Sequence, residues 1–505
     1  MLMRKYMNYT CLKQMLSRYM LTCVFLAVNY PGSANQPLTD YLLRPSGKYG
    51  VAFKDIHWIN NTICPDPYFS KKNQKNFSSE NKKYCHELMV RIYYPTSIKK
   101  GPETPYYQPI IATEQNTLKS IPTVKMKDIE QLSQIKSYTI ENAPIVKKKS
   151  FPVVLLISGL GGQSQLYENL ITQLVSEGYI VLGINSVFIN GDIALPNSKV
   201  ISPKFVDSWD EVSKTIFPVL ESDISFVYKK IHHISATDVF RAMDLNHIGG
   251  IGHSFGGRAL ANVANRHTQW FQALITLDME VHMGSFKPKN TLPPTMHIIS
   301  AYWRSMFEWQ NLNYRLNQNG YLVTLSPNLK NIHYSYHMNF TDLSTLHYLP
   351  AYQAFIAYNH FRLSKGEDLI IKNKEETVSE LKVSRPLYLI IKKSHSWHIF
   401  YYEPGKQAVE ISLERIAGLK TALDRLPQTP LNASELIPIK KMIHGYHQNF
   451  GNYLGTGNGV EITKALNLYI EGFFNASLKN EKNPFKKCIV LTNNTYMQCG
   501  PGIFD

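Results

Sequence analysis

The sequence predicts an α/β fold built on a mostly parallel sheet, and three observations carry that reading. Two continuous apolar runs, Phe151-Pro-Val-Val-Leu-Leu-Ile-Ser158 and Gly178-Tyr-Ile-Val-Leu-Gly-Ile-Asn185, have the composition of strands buried on both faces. Between them lie the turn Gly159-Leu-Gly-Gly162 and a stretch with helical spacing from Leu166 to Glu177, completing a strand–helix–strand unit. Further on, Ile248-Gly-Gly-Ile-Gly-His-Ser-Phe-Gly-Gly257 places a G-x-S-x-G string between an apolar approach and the small-residue helix Arg258-Ala-Leu-Ala-Asn-Val-Ala264. A strand that reverses into a helix around one serine exposes its hydroxyl beside a backbone N–H and a helix N-terminus.

The remaining elements follow in order. The segment Glu87-Leu-Met-Val-Arg-Ile-Tyr-Tyr94 alternates and meets Pro95, which predicts a strand stopped by proline. A long polar connection runs from Thr96 to about Lys149. Helices are expected from about Glu221 to His232 and near Thr237 to Met243, ahead of the strand entering the serine turn. Two more apolar runs, Ala273-Leu-Ile-Thr-Leu277 and Met296-His-Ile-Ile-Ser300, read as strands.

The bulk properties bound the rest. At 505 residues the chain can hold one large domain with insertions or two domains, and 44% hydrophobic content suffices for a sizeable core. The N-terminus reads as a leader: Arg4, Lys5, Lys13 and Arg18 precede the apolar run Tyr19–Val28, and Gly32 and Ala34 suit cleavage after residue 34. That run is short for a bilayer span. We therefore expect a signal peptide over 1–34 and a secreted or periplasmic protein. Removing the leader leaves Cys64, Cys85, Cys488 and Cys499, whose two sequence-local pairs suggest the bridges Cys64–Cys85 and Cys488–Cys499.

The formal charge is +16; the four leader cations leave +12, scattered or in short clusters such as Lys147-Lys148-Lys149. Solubility and contact with anionic lipid surfaces both account for that charge in an exported protein, and no nucleic-acid partner is expected. No His/Cys/Asp/Glu cluster has metal-ligand spacing, and the glycine turn lacks both G-x-G-x-x-G and a P-loop lysine. Neither metal nor organic cofactor is expected.

An activated serine needs a base, and the base an orienting acid. Asp278 follows the strand Ala273–Leu277 directly, 24 residues after Ser254, and is the best-placed acid. Two histidines compete as base, within Ile332-His-Tyr-Ser-Tyr-His-Met-Asn-Phe-Thr-Asp342 and Ile443-His-Gly-Tyr-His-Gln-Asn-Phe450. His337 lies 59 residues beyond Asp278, room for one strand and one helix; His447 lies 169 beyond and requires a large insertion. His337 is favoured, with His447 the alternative. The oxyanion donors should be the backbone N–H groups of Phe255, after the nucleophile, and Leu160, in the glycine turn.

These blocks together resemble the plasma-type platelet-activating factor acetylhydrolases and their bacterial relatives. Val90-Arg-Ile-Tyr-Tyr-Pro95 is similar to the family's first strand, Ile157-Ser-Gly-Leu-Gly161 to its oxyanion turn, and Gly252-His-Ser-Phe-Gly-Gly257 to its serine turn. Leu277-Asp278 and His337-Met-Asn-Phe-Thr-Asp342 match its acid and histidine positions, so the resemblance covers about residues 47 to 365. It implies an α/β-hydrolase fold and a calcium-independent serine esterase of phospholipase A2 character, acting on short or oxidised sn-2 acyl chains of phospholipids.

Two departures stand out. The family's oxyanion turn begins His-Gly, whereas here it is Ser158-Gly159. The C-terminal part is longer than in the family. Val460 to Leu478, containing Phe473-Phe474, resembles the closing helix of bacterial relatives, which leaves roughly 370–450 as an insertion. Within it, Leu387-Tyr-Leu-Ile-Ile391 and Trp397-His-Ile-Phe-Tyr-Tyr402 read as core strands more readily than as a lid. The expected layout is a leader (1–34), a hydrolase domain (35–480) and a disulfide-stapled tail (481–505). Rival readings on the same scaffold are a general carboxylesterase, a polyester hydrolase or an acyltransferase; a non-catalytic binding protein is the rival of another class.

Overall fold

The computed structural model describes residues 41–67, 85–102, 104–107, 112, 125–147, 149–196, 199–203, 212–235, 237–279, 292–300, 321–325, 337–346, 349, 368–372, 387–393, 396–402, 409–411, 423, 439, 459–482 and 496–499. The leader, His447 and Cys488 lie outside these, and with them the second bridge; the Cys64–Cys85 disulfide is present.

A ten-stranded sheet organises the chain. Its strands are β1 (Gly50–Asn60), β2 (His86–Thr96), β3 (Thr139–Glu141), β4 (Phe151–Ile157), β5 (Ile180–Ser186), β6 (Met243–His253), β7 (Ala273–Leu277), β8 (Thr295–Ser300), β9 (Tyr321–Leu325) and, after the second sheet, Tyr496–Cys499. That second sheet has four strands: β10 (Asp368–Lys372), β11 (Leu387–Lys393), β12 (Ser396–Tyr402) and β13 (Val409–Ile411); Tyr496–Cys499 is then β14. The order in the large sheet is β14-β9-β8-β7-β6-β4-β5-β2-β1-β3. From β5 to β9 every neighbouring pair is parallel, while β1–β2, β2–β5 and β9–β14 are antiparallel. This is the α/β-hydrolase fold: a large, mostly parallel sheet flanked by helices.

The apolar runs form strands because both faces are covered. On β4, Val153, Leu155 and Ile157 pack into one core with helices α2 (Phe217–His233) and α3 (Phe255–Arg266). Val154 and Leu156 pack into the other with α1 (Glu168–Ser176) and α4 (Gly459–Leu478). Each fully buried aliphatic side chain contributes roughly 1.5–3 kcal/mol of transfer free energy. On β6, glycine rather than a large residue is required where α4 closes down: a Cβ at Gly249 would stand 2.9 Å from Phe474 Cε1.

Three local expectations are corrected. β2 runs through Pro95 to Thr96; β5 stops pairing at Tyr93, so the missing proline N–H has no waiting acceptor there, and the Pro95 carbonyl accepts from Val146. The helix near Thr237 is only Asp238–Arg241, because the strand into the serine turn begins early, at Met243, with an irregularity between Asp244 and Ile248. α2 begins at Phe217 rather than Glu221, with Pro218 in its first turn, where a missing N–H costs nothing. Tyr496–Cys499, within the expected tail, pairs with β9 as an edge strand of the large sheet. The runs 387–391 and 397–402 are strands, with Tyr388, Leu389, Ile390 and Ile399 buried.

Candidate active site

β6 and β7 are parallel neighbours in register His253↔Leu277, so the residues that follow them, Ser254 and Asp278, emerge side by side at the sheet's C-terminal edge. Ser254 has φ 53° and ψ −122°, a conformation that costs a non-glycine residue of order 1–3 kcal/mol and persists only when its surroundings enforce it. The Ser254 N–H donates to the Leu277 carbonyl (2.9 Å), and α3 starts at the next residue. The flanking glycines are steric necessities. A Cβ at Gly252 would sit 2.4 Å from Gly257 Cα, and one at Gly256 would sit 2.3 Å from the Ser158 carbonyl oxygen.

Asp278 is fully buried and also has a positive φ, 44°. Its N–H donates to the Ile298 carbonyl (2.7 Å), and its Oδ1 accepts from the Ser300 N–H (2.7 Å). Oδ2 accepts from His337 Nδ1 at 2.7 Å. This fixes the imidazole's orientation and its tautomer: with Nδ1 carrying the proton toward the carboxylate, Nε2 is free to act as a base. The ring is one-third exposed. Ser254 and Asp278 thus lie on adjacent strand ends, and His337 is bonded to Asp278.

The glycine turn faces the serine, a Cβ at Gly159 reaching within 3.1 Å of Ser254 Cβ. Two of its amides are consumed: Gly161 N–H donates to the Ile189 carbonyl and Gly162 N–H to the Gly159 carbonyl. Leu160 N–H has no acceptor among the described residues. The Ser158 hydroxyl closes the turn by donating to the Gly162 carbonyl (3.0 Å) and accepting from Asn190 Nδ2 (2.9 Å). Phe255, whose N–H opens α3, stacks on Phe217 at 5.3 Å between ring centroids. Leu160 and Phe255, the residues that follow Gly159 and Ser254 in the chain, are half-buried apolar side chains packed against the core.

Several residues bear on the site without having been singled out from the sequence. His253, just before the serine, is buried and bonded to Tyr167 and to the His337 carbonyl. Asp342, visible only as the end of the His-x-Asn-Phe-x-Asp run, is buried and accepts from the N–H groups of Glu168 (2.8 Å) and Asn169 (3.0 Å) and from the Tyr106 hydroxyl (3.1 Å). It caps α1, the helix that leaves the oxyanion turn, and so ties the histidine segment to that helix. Burial, reinforced by the nearby Glu168, holds the Asp342 carboxyl well above the usual range, against the lowering effect of its amide donors.

Comparison with known proteins gives a consistent class. Residues 75–186 match the family described as platelet-activating factor acetylhydrolase, isoform II, so the resemblance extends over β2 to β5 and includes the oxyanion turn. None of the curated proteins matches the chain. Among solved structures, a ferulic acid esterase from Streptomyces cinnamoneus superposes with a TM-score of 0.56 at 15% identity, covering 91% of this chain and 99% of that one. The fold is therefore shared over nearly the whole length, and the family match supports an ester-hydrolysing enzyme.

Proposed function

We propose that this protein is an exported serine esterase that hydrolyses acyl esters, with the sn-2 acyl groups of phospholipids as its substrate class, and that Ser254, His337 and Asp278 form its catalytic triad. The observation that carries this reading is the 2.7 Å bond from His337 Nδ1 to a buried Asp278 that lies beside the strained Ser254 turn. Ser254 Oγ attacks the acyl carbonyl carbon as His337 Nε2 takes its proton. Asp278 holds the imidazole and stabilises its charged form. The amides of Leu160 and Phe255 receive the oxyanion, and His337 then passes the proton to the departing alcohol oxygen. Water, deprotonated by the same imidazole, releases the acyl group from Ser254.

Leu160 and Phe255, apolar chain neighbours of the glycine and serine turns, suit an acyl chain better than a polar one. Export is supported by the N-terminal leader pattern and by the Cys64–Cys85 bridge, which belongs to an oxidising compartment. The layout of leader, hydrolase domain with an insertion near 370–450, and C-terminal segment is retained in the proposal. The basic surface suits peripheral contact with anionic lipid.

The test is acyl release from short-chain and long-chain sn-2 phospholipids without calcium, comparing wild type with Ser254→Ala, His337→Ala and His447→Ala. Ser254→Ala and His337→Ala should abolish turnover, by a factor of about 10⁴ or more, while His447→Ala retains it. Turnover by clean Ser254→Ala protein would sink the assignment, and loss confined to His447→Ala would move the base into the C-terminal region. Simple esters and an added alcohol acceptor in the same assay separate phospholipid hydrolysis from general esterase, polyester hydrolase or acyltransferase activity.

A further inference from the structure

His253 sits between two groups that the reaction must hold still. Its Nε2 lies 3.1 Å from the His337 carbonyl oxygen, an atom that can only accept, so Nε2 carries a hydrogen. Its Nδ1 lies 2.7 Å from the Tyr167 hydroxyl. Burial, with His337 beside it adding to the effect, holds the His253 pKa well below its ordinary value, so the ring is neutral and Nδ1 is an acceptor. The Tyr167 O–H therefore donates to Nδ1. Every polar atom of the His253 ring is thereby assigned, and only one tautomer satisfies the arrangement.

We propose that Tyr167 and His253 are positioning residues for the hydrolytic reaction: the chain Tyr167 Oη–H, His253 and the His337 carbonyl ties the segment that follows the oxyanion turn to the catalytic base, beside Ser254. The chain joins segments that come from residues 158–167, 253–255 and 337–340. Tyr167 ends the short turn Ser164–Tyr167 that follows the glycine turn, so a displaced Tyr167 shifts the segment that presents the Leu160 amide. Ser254 follows His253 directly. The rings of His253 and His337 lie 4.4 Å apart between centroids at 33°, so the neutral ring also forms a wall against which the base is seated. A neutral ring there adds no like charge when His337 takes the serine proton.

This inference rests on the serine-esterase reading, and its test keeps the two separate. Wild type, Tyr167→Phe, His253→Phe and His253→Gln are titrated with a serine-directed phosphonate, and p-nitrophenyl acetate hydrolysis is expressed as kcat per labelled site. Expressing it this way cancels any change in folded fraction. Tyr167→Phe and His253→Phe should each lose about 10–100-fold in kcat per site, the scale of a misplaced catalytic group, with KM within about twofold. His253→Gln, whose amide nitrogen can replace Nε2 as donor to the His337 carbonyl, should recover part of the loss. A fall of less than about fivefold, a loss carried by KM, or a Gln variant no better than the Phe variant overturns the positioning role. Wild-type protein that is not labelled at Ser254 overturns the parent reading and this one with it.

Discussion

Glu168→Gln offers a stringent check on the interior beside the site. Glu168 opens α1, is buried, and leaves Oε2 without a hydrogen-bond partner among the described residues. Burial raises its pKa from 4.5 to about 7, opposed only in part by a hydrogen bond with Ser137 and by the Arg91 charge. The sign follows from linkage. Below pH 4.5 the residue is protonated in folded and unfolded chains alike and contributes nothing. Between 4.5 and about 7 the unfolded chain ionises first, so folding is progressively penalised as pH rises. Above 7 both states are ionised and the whole cost remains, about 3 kcal/mol for that gap. Glutamine keeps the shape and never ionises. Removing the Glu168 charge also relieves one of the influences that raise the Asp342 pKa, which acts in the same direction. Urea unfolding of wild type and variant from pH 4 to 8 should give a stability difference that grows with pH in the variant's favour by about 3 kcal/mol and levels off beyond 7. A difference that is flat with pH, or that grows in favour of wild type, refutes the reasoning.

Two further perturbations test other parts of the frame. Asp223 is buried and accepts from Asn60 Nδ2 (2.8 Å), Ser186 Oγ (2.6 Å) and His86 Nε2 (3.0 Å). Burial pulls the His86 pKa down, but Asp223 and Asp66 outweigh it and hold it up at about 10, so the stability from this cluster is complete below pH 6.5 and lost as pH rises through 10. Asp223→Asn should cost about 3–5 kcal/mol at pH 7, with a smaller penalty at pH 10.5, by urea midpoint; equal penalties at both values count against it. Gly256→Ala forces a methyl to within 2.3 Å of the Ser158 carbonyl oxygen and 2.5 Å of that of Ile157, both backbone. It should cost about 1–3 kcal/mol by thermal unfolding and lower kcat as α3 moves off the oxyanion turn; an unchanged kcat would show that this approach is not needed.

What the sequence made legible is what local pattern determines. The runs at 151–157 and 180–186 are strands because both faces are buried, a property visible as unbroken apolar composition. β1 was not anticipated, because Lys54, Asp55 and His57 interrupt the pattern of Gly50–Asn60. The structure gives the reason: Asp55 faces Arg91 across β1 and β2 and takes two hydrogen bonds from it at 2.7 Å, while His57 pairs with Glu87. Those polar residues are satisfied by a strand distant in sequence, and no single-segment pattern encodes that. Chain order pointed to Ser254, Asp278 and His337 as candidates, and the structure sets Asp278 beside Ser254 and bonds His337 to Asp278. Tyr167 and His253 were not legible, because a buried polar side chain is defined by partners that only the fold supplies.

Ser158, where the family's turn has histidine, closes the glycine turn through its hydroxyl. The turn needs its chain reversed tightly enough that one amide points outward. The hydroxyl of Ser158 achieves this by bonding to the Gly162 carbonyl, and Asn190 secures the hydroxyl from the neighbouring loop. Gly191 N–H donates to that same Gly162 carbonyl at 3.2 Å, so the loop after β5 buttresses the turn through backbone as well. The histidine segment has a different difficulty: His337–Phe340 is a single 3₁₀ turn, too short to hold His337 in place by its own hydrogen bonds. It is restrained from both sides, by Asp342 on the first amides of α1 and by His253 on the His337 carbonyl. Both restraints lead back to the segment that carries the oxyanion turn. In the proposed reaction the base and the Leu160 amide would therefore be held relative to one another, whatever small shifts either loop makes relative to the sheet.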